Sequence, residues 1–231
     1  MPQVARAAIL VLGQQPIHMI RDQKLIAAIP ERQSIRRFHR EPVARAVVER
    51  LLAAATRAPS AHNRQPWRFA VLDDETSKQK LAKAMGERLR ADRVADGHDA
   101  AAIDADVSRS YSRITEAPIV IVVCADVRVM DRYPDCRRSE AEYLMAVQST
   151  AMAAQNLLLA AHSEGLGACV MCAPLFCPDV VTAALDLPAE WRAQMLITVG
   201  EAANGANERP RLAAQEVTIW ISGNGSRPTG A

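Results

Sequence analysis

Two rhythms of apolar positions divide the chain. Between Val43 and Arg57, Val47, Val48, Leu51, Leu52 and Ala55 recur at i, i+3, i+4 spacing, which predicts an amphipathic helix with Pro42 near its first turn. The period then drops to two. Trp67, Phe69 and Val71 alternate with Arg68, Ala70 and Leu72, the pattern of a strand. Thr76 to about Val94 returns to a helical period through Leu81, Met85 and Leu89. Residues 96–112 are polar and alanine-rich, broken by Gly97 and His98, and read as a mobile helix or lid. Pro118 to Ala125 is a continuous β-branched run, as expected of a buried central strand. A turn-rich loop over Asp131–Ser139 precedes the longest helical pattern, Glu140–Glu164. There Leu144, Val147, Ala151, Ala154, Leu158 and Ala161 share a face that Met145, Met152 and Leu159 widen, so the helix must be buried by its own domain or by a second subunit. Gly165 is placed to cap it. Further strands are expected at Ala168–Met171, Gln194–Val199 and Val217–Ile221, with a short helix over Pro178–Leu187 and a loop over Asn204–Arg211. No repeat and no linker divides this alternation, which gives an α+β or α/β class in one domain over residues 26–222. Residues 1–25 read as a peripheral arm and 223–231 as a flexible tail.

Composition narrows the picture. Apolar residues make up 49% and charged residues 23%, a soluble globular balance. Aromatics are only 4%, so the core must be built from Ala, Val, Leu, Ile and Met. A net charge of +2 lacks the concentrated basic surface of a general nucleic-acid binder. The apolar run Ala7–Leu12 is too short to span a bilayer, and no small-residue cleavage site follows it. With five cysteines, an odd number, and no signal peptide, the expectation is a reducing, cytoplasmic setting. Cys169 and Cys172 have CxxC spacing, but no second CxxC or histidine pair completes a metal site, and they lie in an apolar run where cysteine packs as a small hydrophobe.

Two polar motifs carry the candidate chemistry. Residues 59–69 (Pro-Ser-Ala-His-Asn-Arg-Gln-Pro-Trp-Arg-Phe) set Asn63 and Gln65 between two prolines at the mouth of a strand. Carboxamides so placed suit edge-on recognition of a planar heterocycle, and equally fit an ordinary helix-to-strand loop with an Asx turn. Upstream, Arg32, Ser34, Arg36 and Arg37 gather cations and a hydroxyl that match phosphate oxygens, although short basic runs are often just solvated faces.

Together the motifs resemble the nitroreductase family of FMN-dependent oxidoreductases, at Arg32, Ser34 and Arg36 and at Pro59, Ser60, Asn63, Gln65, Pro66 and Trp67, and more loosely at Arg211. The resemblance covers most of the chain beyond residue 30. It implies an α+β fold, a mixed and largely antiparallel sheet flanked by helices, built as an intertwined homodimer. It also implies roles for residues. Arg32, Ser34 and Arg36, with the backbone of Gln33, would hold the phosphate and ribityl groups of FMN, and Arg209 and Arg211 would meet the same phosphate. Pro59 and Ser60 would shape the loop from which Asn63 reaches the pyrimidine edge, with Gln65 bracing it. The backbone of Met171, Cys172 and Ala173 would approach the reactive ring nitrogen, where Cys172 departs from the family's usual small or acidic residue.

The implied activity is hydride transfer from NAD(P)H through bound flavin to a nitroaromatic, quinone or enone, with no protein nucleophile and no acid–base pair. His62 is either a proton donor or a plain loop residue. No dinucleotide fingerprint is present, so nicotinamide would bind by stacking on the flavin. Two other readings stay open. One is a dedicated biosynthetic flavoenzyme like the nitroreductase-like module of deazaflavin cofactor synthesis, suggested by Tyr133-Pro134-Asp135 with Arg137 and Arg138. The other is a flavin-binding protein without turnover. The flavin-fragmenting enzyme of cobalamin lower-ligand synthesis ranks below these, because its motif carries Asp where this chain has Ser34.

Overall fold

Eight consecutive buried residues, Ile119–Asp126, form the strand around which the other elements are arranged. A strand buried on both faces needs a helix layer on each side, and its unbroken β-branched sequence supplies both. The computed structural model describes residues 28–205 and 209–221. The arm expected over 1–25 and the tail over 223–231 lie outside them, as do residues 206–208 of the expected 204–211 loop. In chain order the elements are α1 (Arg45–Ala55), β1 (Trp67–Leu72), α2 (Glu75–Ala95), α3 (Ala100–Thr115), β2 (Ile119–Asp126), α4 (Cys136–Ser163), β3 (Gly167–Met171), α5 (Pro178–Ala184) and β4 (Trp191–Gly200).

The four strands form one antiparallel sheet in the order β1-β2-β4-β3. On one face, Ile119, Ile121 and Val123 of β2 and Trp67 of β1 pack against Val48 and Leu51 of α1 and Ala153, Ala154, Leu157 and Ala161 of α4. On the other, Val120, Val122 and Cys124 pack against Leu81 and Met85 of α2, Ile114 of α3 and Val181 of α5. The alternation read in β1 therefore divides between two cores. Trp67 is the only aromatic side chain in the described buried core. Between Val123 and Cys124 the pairing with β4 slips by a bulge, which inserts Gln194.

Of the two readings of residues 96–112, the structure takes the helix: α3 is capped by Asp99, whose carboxylate accepts the Ala102 N–H (3.1 Å), and Ile103 and Ile114 anchor it. Three sequence expectations need correction. The loop expected over Asp131–Ser139 ends early, because Asp135 caps α4 through the Arg138 N–H (3.0 Å) and the helix starts at Cys136. The buried stripe of α4 keeps the expected Ala154, Leu158 and Ala161 but also takes in Ala146, Ser149, Thr150, Ala153 and Leu157, whereas the expected Leu144 and Ala151 and the widening Met152 are exposed. Its two buried hydroxyl residues disguised the stripe in the sequence. Finally, Val217–Ile221 is not a strand. A 3-10 turn over Ala214–Val217 leads into an exposed segment in which Trp220 is 81% and Ile221 97% accessible. Its β-branched residues find no sheet edge within their own chain.

α4 is also long and apolar enough to cross a membrane by length and composition. Its packing makes it the principal core helix of one face.

Candidate functional site

The arginine segment lies against the outer edge of β3. Ser34 bridges Ala168 in parallel, and the Ile35 N–H donates to the Ala168 carbonyl (3.0 Å). The chain then crosses to the end of β4, where the His39 N–H donates to the Glu201 carbonyl (2.9 Å) and the Ala203 N–H to that of Arg37 (3.1 Å). Gly167 makes the first contact workable, since a Cβ there would stand 2.7 Å from Ile35 Cβ. The result is a cleft of about 380 Å³ lined by Ser34, Ile35, Arg36, Arg37, Asn204, Gly205 and Arg209. Three arginines and a hydroxyl converge, and no carboxylate lines the cleft among the described residues. Such a donor set suits an anion with several oxygens.

The other expected phosphate ligands stand apart from this cleft. Arg32 and Gln33 line a neighbouring one with His162, Gly165 and Ala168. The Arg211 guanidinium donates to the carbonyls of Arg209 and Pro210 (both 3.3 Å). Arg37, grouped with Arg32, Ser34 and Arg36 as a candidate anion ligand in the sequence, does line the cleft, which it reaches through the crossing to β4. Asn204 and Gly205 join through the same crossing, which no local motif announces.

The motif loop is a built structure. His62, Asn63 and Gln65 adopt φ of 50°, 53° and 49°, the left-handed region that costs a residue with a Cβ about 1–2 kcal/mol. Several contacts offset that strain. Ser60 Oγ accepts the Gln65 N–H (3.0 Å), and the Ala61 N–H donates to Ser149 Oγ (3.2 Å) on α4. Gln65 Nε2 donates to Asn63 Oδ1 (3.3 Å), and Arg64 pairs with Asp131. Gln65 thus braces the loop, and the exposed Asn63 carboxamide is held at its surface. Pro59 precedes this turn and is exposed, and Pro66, after it, is buried.

The two motifs occupy opposite corners of the sheet. The loop enters β1, one outer strand, at the end where Trp67 pairs with Ala125. Ser34 flanks β3, the other outer strand, at the end where Ala168 pairs with Val199. Three strand spacings separate them laterally, about 14 Å, and some six residues along the strands, about 20 Å. Met171, Cys172 and Ala173 lie where β3 ends, about 10 Å along that strand from Ala168. Within one chain, then, the cationic cleft and the 171–173 backbone share an edge, and Asn63 does not reach it.

The thiols divide by environment. All five are free. Burial pushes Cys124 up to about 12 and also raises Cys177. Burial raises Cys169 too, against the opposing charges of Arg36, Arg113 and Arg32. Cys172 is exposed beside the 171–173 backbone. Arg138 is occupied locally, with its Nε on Asp135 and its guanidinium 4.6 Å from the Tyr133 ring centre. That is a helix start rather than a preformed anion site.

Relatives share this architecture. A Rhodospirillum rubrum protein named 5,6-dimethylbenzimidazole synthase is 32% identical over 73% of this chain and 77% of its own. A Thermus thermophilus NADH dehydrogenase is 28% identical over 82% of this chain and 92% of its own. The solved structure of a Desulfovibrio desulfuricans protein, described as a nitroreductase in complex with FMN, superposes with a TM-score of 0.63 at 25% identity, covering 86% of this chain and 96% of that one. The model of the nitroreductase family matches residues 29–201, which include the Ser34 bridge, the 59–67 loop and all four strands. The chain belongs to the nitroreductase family.

Proposed function

We propose that this oxidoreductase uses FMN to carry hydride from NAD(P)H to an electron-poor acceptor such as a nitroaromatic, quinone or enone. The observation that carries the reading is the cleft in which Arg36, Arg37 and Arg209 surround Ser34 with no carboxylate among the described lining. Concentrated positive charge, with no carboxylate among the described lining residues, fits a phosphate. Bound FMN would supply the ring that accepts and donates hydride.

The chain's own groups bind and orient. Ser34, Arg36 and Arg209 take the phosphate, with Arg32, Gln33 and Arg211 adding charge and backbone donors on its flanks. From there the free edge of β3 leads to the amides of Met171, Cys172 and Ala173, which would face the ring nitrogen and favour negative charge on it. Asn63 recognises the pyrimidine edge, and Pro59, Ser60 and Gln65 hold its loop in place. Because Asn63 lies across the sheet from Arg36, a second copy of the chain supplies it, and the functional unit is a homodimer. The exposed apolar segment from Val217 to Ile221 and the outward Leu144 and Met152 give that copy a surface to bury.

The name of the Thermus relative supports NADH as one donor. The test is an FMN titration of the purified protein, followed by stopped-flow reduction with each nicotinamide and reoxidation by menadione or nitrofurazone. Stoichiometric FMN uptake and fast reoxidation are expected. A protein that takes up no FMN would overturn the reading. One that binds FMN but reoxidises it no faster than free flavin would instead be a flavin-binding module without turnover.

The Rhodospirillum relative favours a second reading, synthesis of 5,6-dimethylbenzimidazole. Ser34 stands against it, for the reason given above. Incubation with reduced FMN and oxygen, followed by chromatography for the benzimidazole, separates the two.

A further inference from the structure

Below the motif loop, three segments bring together one imidazole and two carboxylates. A ring nitrogen of His62 and carboxylate oxygens of Asp131 and Glu142 all lie within 4.8 Å of one another. His62 is exposed in the 3-10 turn Ala61–Asn63, Asp131 follows Met130 in the loop after β2, and Glu142 lies near the start of α4. Glu142 is only 5% exposed. Its Oε2 accepts the Asp131 N–H (3.2 Å), and among the described residues no donor meets its other oxygen and no cation pairs with it. Arg64 neutralises Asp131. Asp131 therefore has a cationic partner, and Glu142 has none among the described residues.

His62 forms no ion pair with either carboxylate among the described residues, yet one ligand atom of each of the three groups lies within 4.8 Å of the others. A cation with ligand bonds of about 2.0–2.2 Å needs its donors roughly 3–3.5 Å apart. Binding would draw the three side chains together, His62 being exposed and Asp131 half-exposed. We propose that His62, Asp131 and Glu142 bind a divalent first-row transition cation. One nitrogen and two oxygens suit zinc, manganese, cobalt or iron(II), and a three-ligand site leaves a position for water. Arg64 on Asp131, and the Asp131 N–H on Glu142, would orient the ligands from behind. The cation would tie the loop that carries Asn63 to α4 and to the loop after β2. None of the three ligands is assigned to the flavin, so this site stands apart from that reading.

The test uses the full chain, stripped with chelator and titrated with Co²⁺ by absorbance and calorimetry. One Co²⁺ per chain is expected, with visible ligand-field bands, no sulfur-to-cobalt charge-transfer band, and a raised unfolding midpoint. His62→Ala and Glu142→Gln should each weaken binding at least tenfold, and Cys172→Ser should leave it unchanged. Since His62 is exposed, its variant keeps the test valid even if Glu142→Gln folds poorly. No stoichiometric binding, equal affinity in His62→Ala, or a sulfur-dominated spectrum would each overturn the site. FMN uptake, measured separately, reports on the flavin alone.

Discussion

Gly167 shows how one hydrogen atom in place of a methyl group positions a cluster of charge. The Ile35 side chain fills the space a Cβ would need, with Cβ and Cγ2 both 2.7 Å from that point. Ile35 is branched at the atom that would clash, so it cannot swing away without moving its backbone. Gly167→Ala should therefore loosen the Ser34–Ala168 bridge and cost about 1–3 kcal/mol in urea unfolding. Ile35→Gly in the same chain, which removes the clashing Cβ, should restore part of the loss, which a general strand defect would not allow. In the cleft itself, Arg36→Ala and Arg209→Ala each remove a charge-assisted donor from a phosphate, worth about 1.5–3 kcal/mol. FMN affinity should fall at least tenfold in each, read by quenching of flavin fluorescence. An unchanged affinity in both would remove this cleft from the cofactor site.

At the scale of elements, Asp126 fastens the end of β2 to its surroundings. Its side chain is 2% exposed and accepts from the Arg128 backbone (3.1 Å), Nε (3.0 Å) and Nη2 (2.9 Å), with Arg68 of β1 at 3.4 Å. The hydrogen bonds from Arg128 hold the Asp126 carboxyl below its ordinary range. A lowered folded pKa stabilises the protein above the unfolded value, near pH 4, and that contribution disappears as pH falls through the folded value. Asp126→Asn should lower stability by about 2–3 kcal/mol at pH 7 and flatten the acid limb of a pH–stability curve. If the curves of the two proteins stay parallel down to pH 2, Asp126 does not carry the acid sensitivity. Elements of this kind differ in how well the sequence announces them. β1 and β2 were legible because their side chains alternate or are uniformly β-branched, and short-range sterics suffice. The α4 stripe was misread because Ser149 and Thr150 are buried by tertiary contacts, Ser149 accepting from the distant Ala61 N–H (3.2 Å). Likewise Ser34, Arg36, Arg37 and Arg209 are nameable from their chemistry. That Arg32 and Arg211 lie outside the cleft follows from the crossing of residues 35–39 to β4, a long-range pairing with no local pattern.

The whole molecule raises a question that one chain leaves open. The segment Val217–Ile221 has the composition of a strand and the exposure of none, with Ile219, Trp220 and Ile221 each more than four-fifths accessible. Burying side chains of this size is worth about 1.5–3 kcal/mol apiece, so leaving all of them in water is a standing cost. The four-stranded sheet closes without this segment. The diagonal placement of Asn63 and Arg36 poses the complementary problem, since the proposed binding site is split between two edges. The second copy proposed above would resolve both, burying the segment and bringing its own Asn63 beside the Arg36 edge. Charging the segment by Ile219→Asp together with Trp220→Ser should therefore leave the far-ultraviolet spectrum nearly unchanged. In sedimentation the same variant should run at half the wild-type mass. On the proposed reading, in which the flavin site draws on both copies, FMN affinity should fall with it, even though no residue proposed to touch the flavin has changed. A variant that remains dimeric would show that the segment does not hold the copies together. A monomer that keeps full FMN affinity would show that Arg36 and Asn63 do not serve one cofactor.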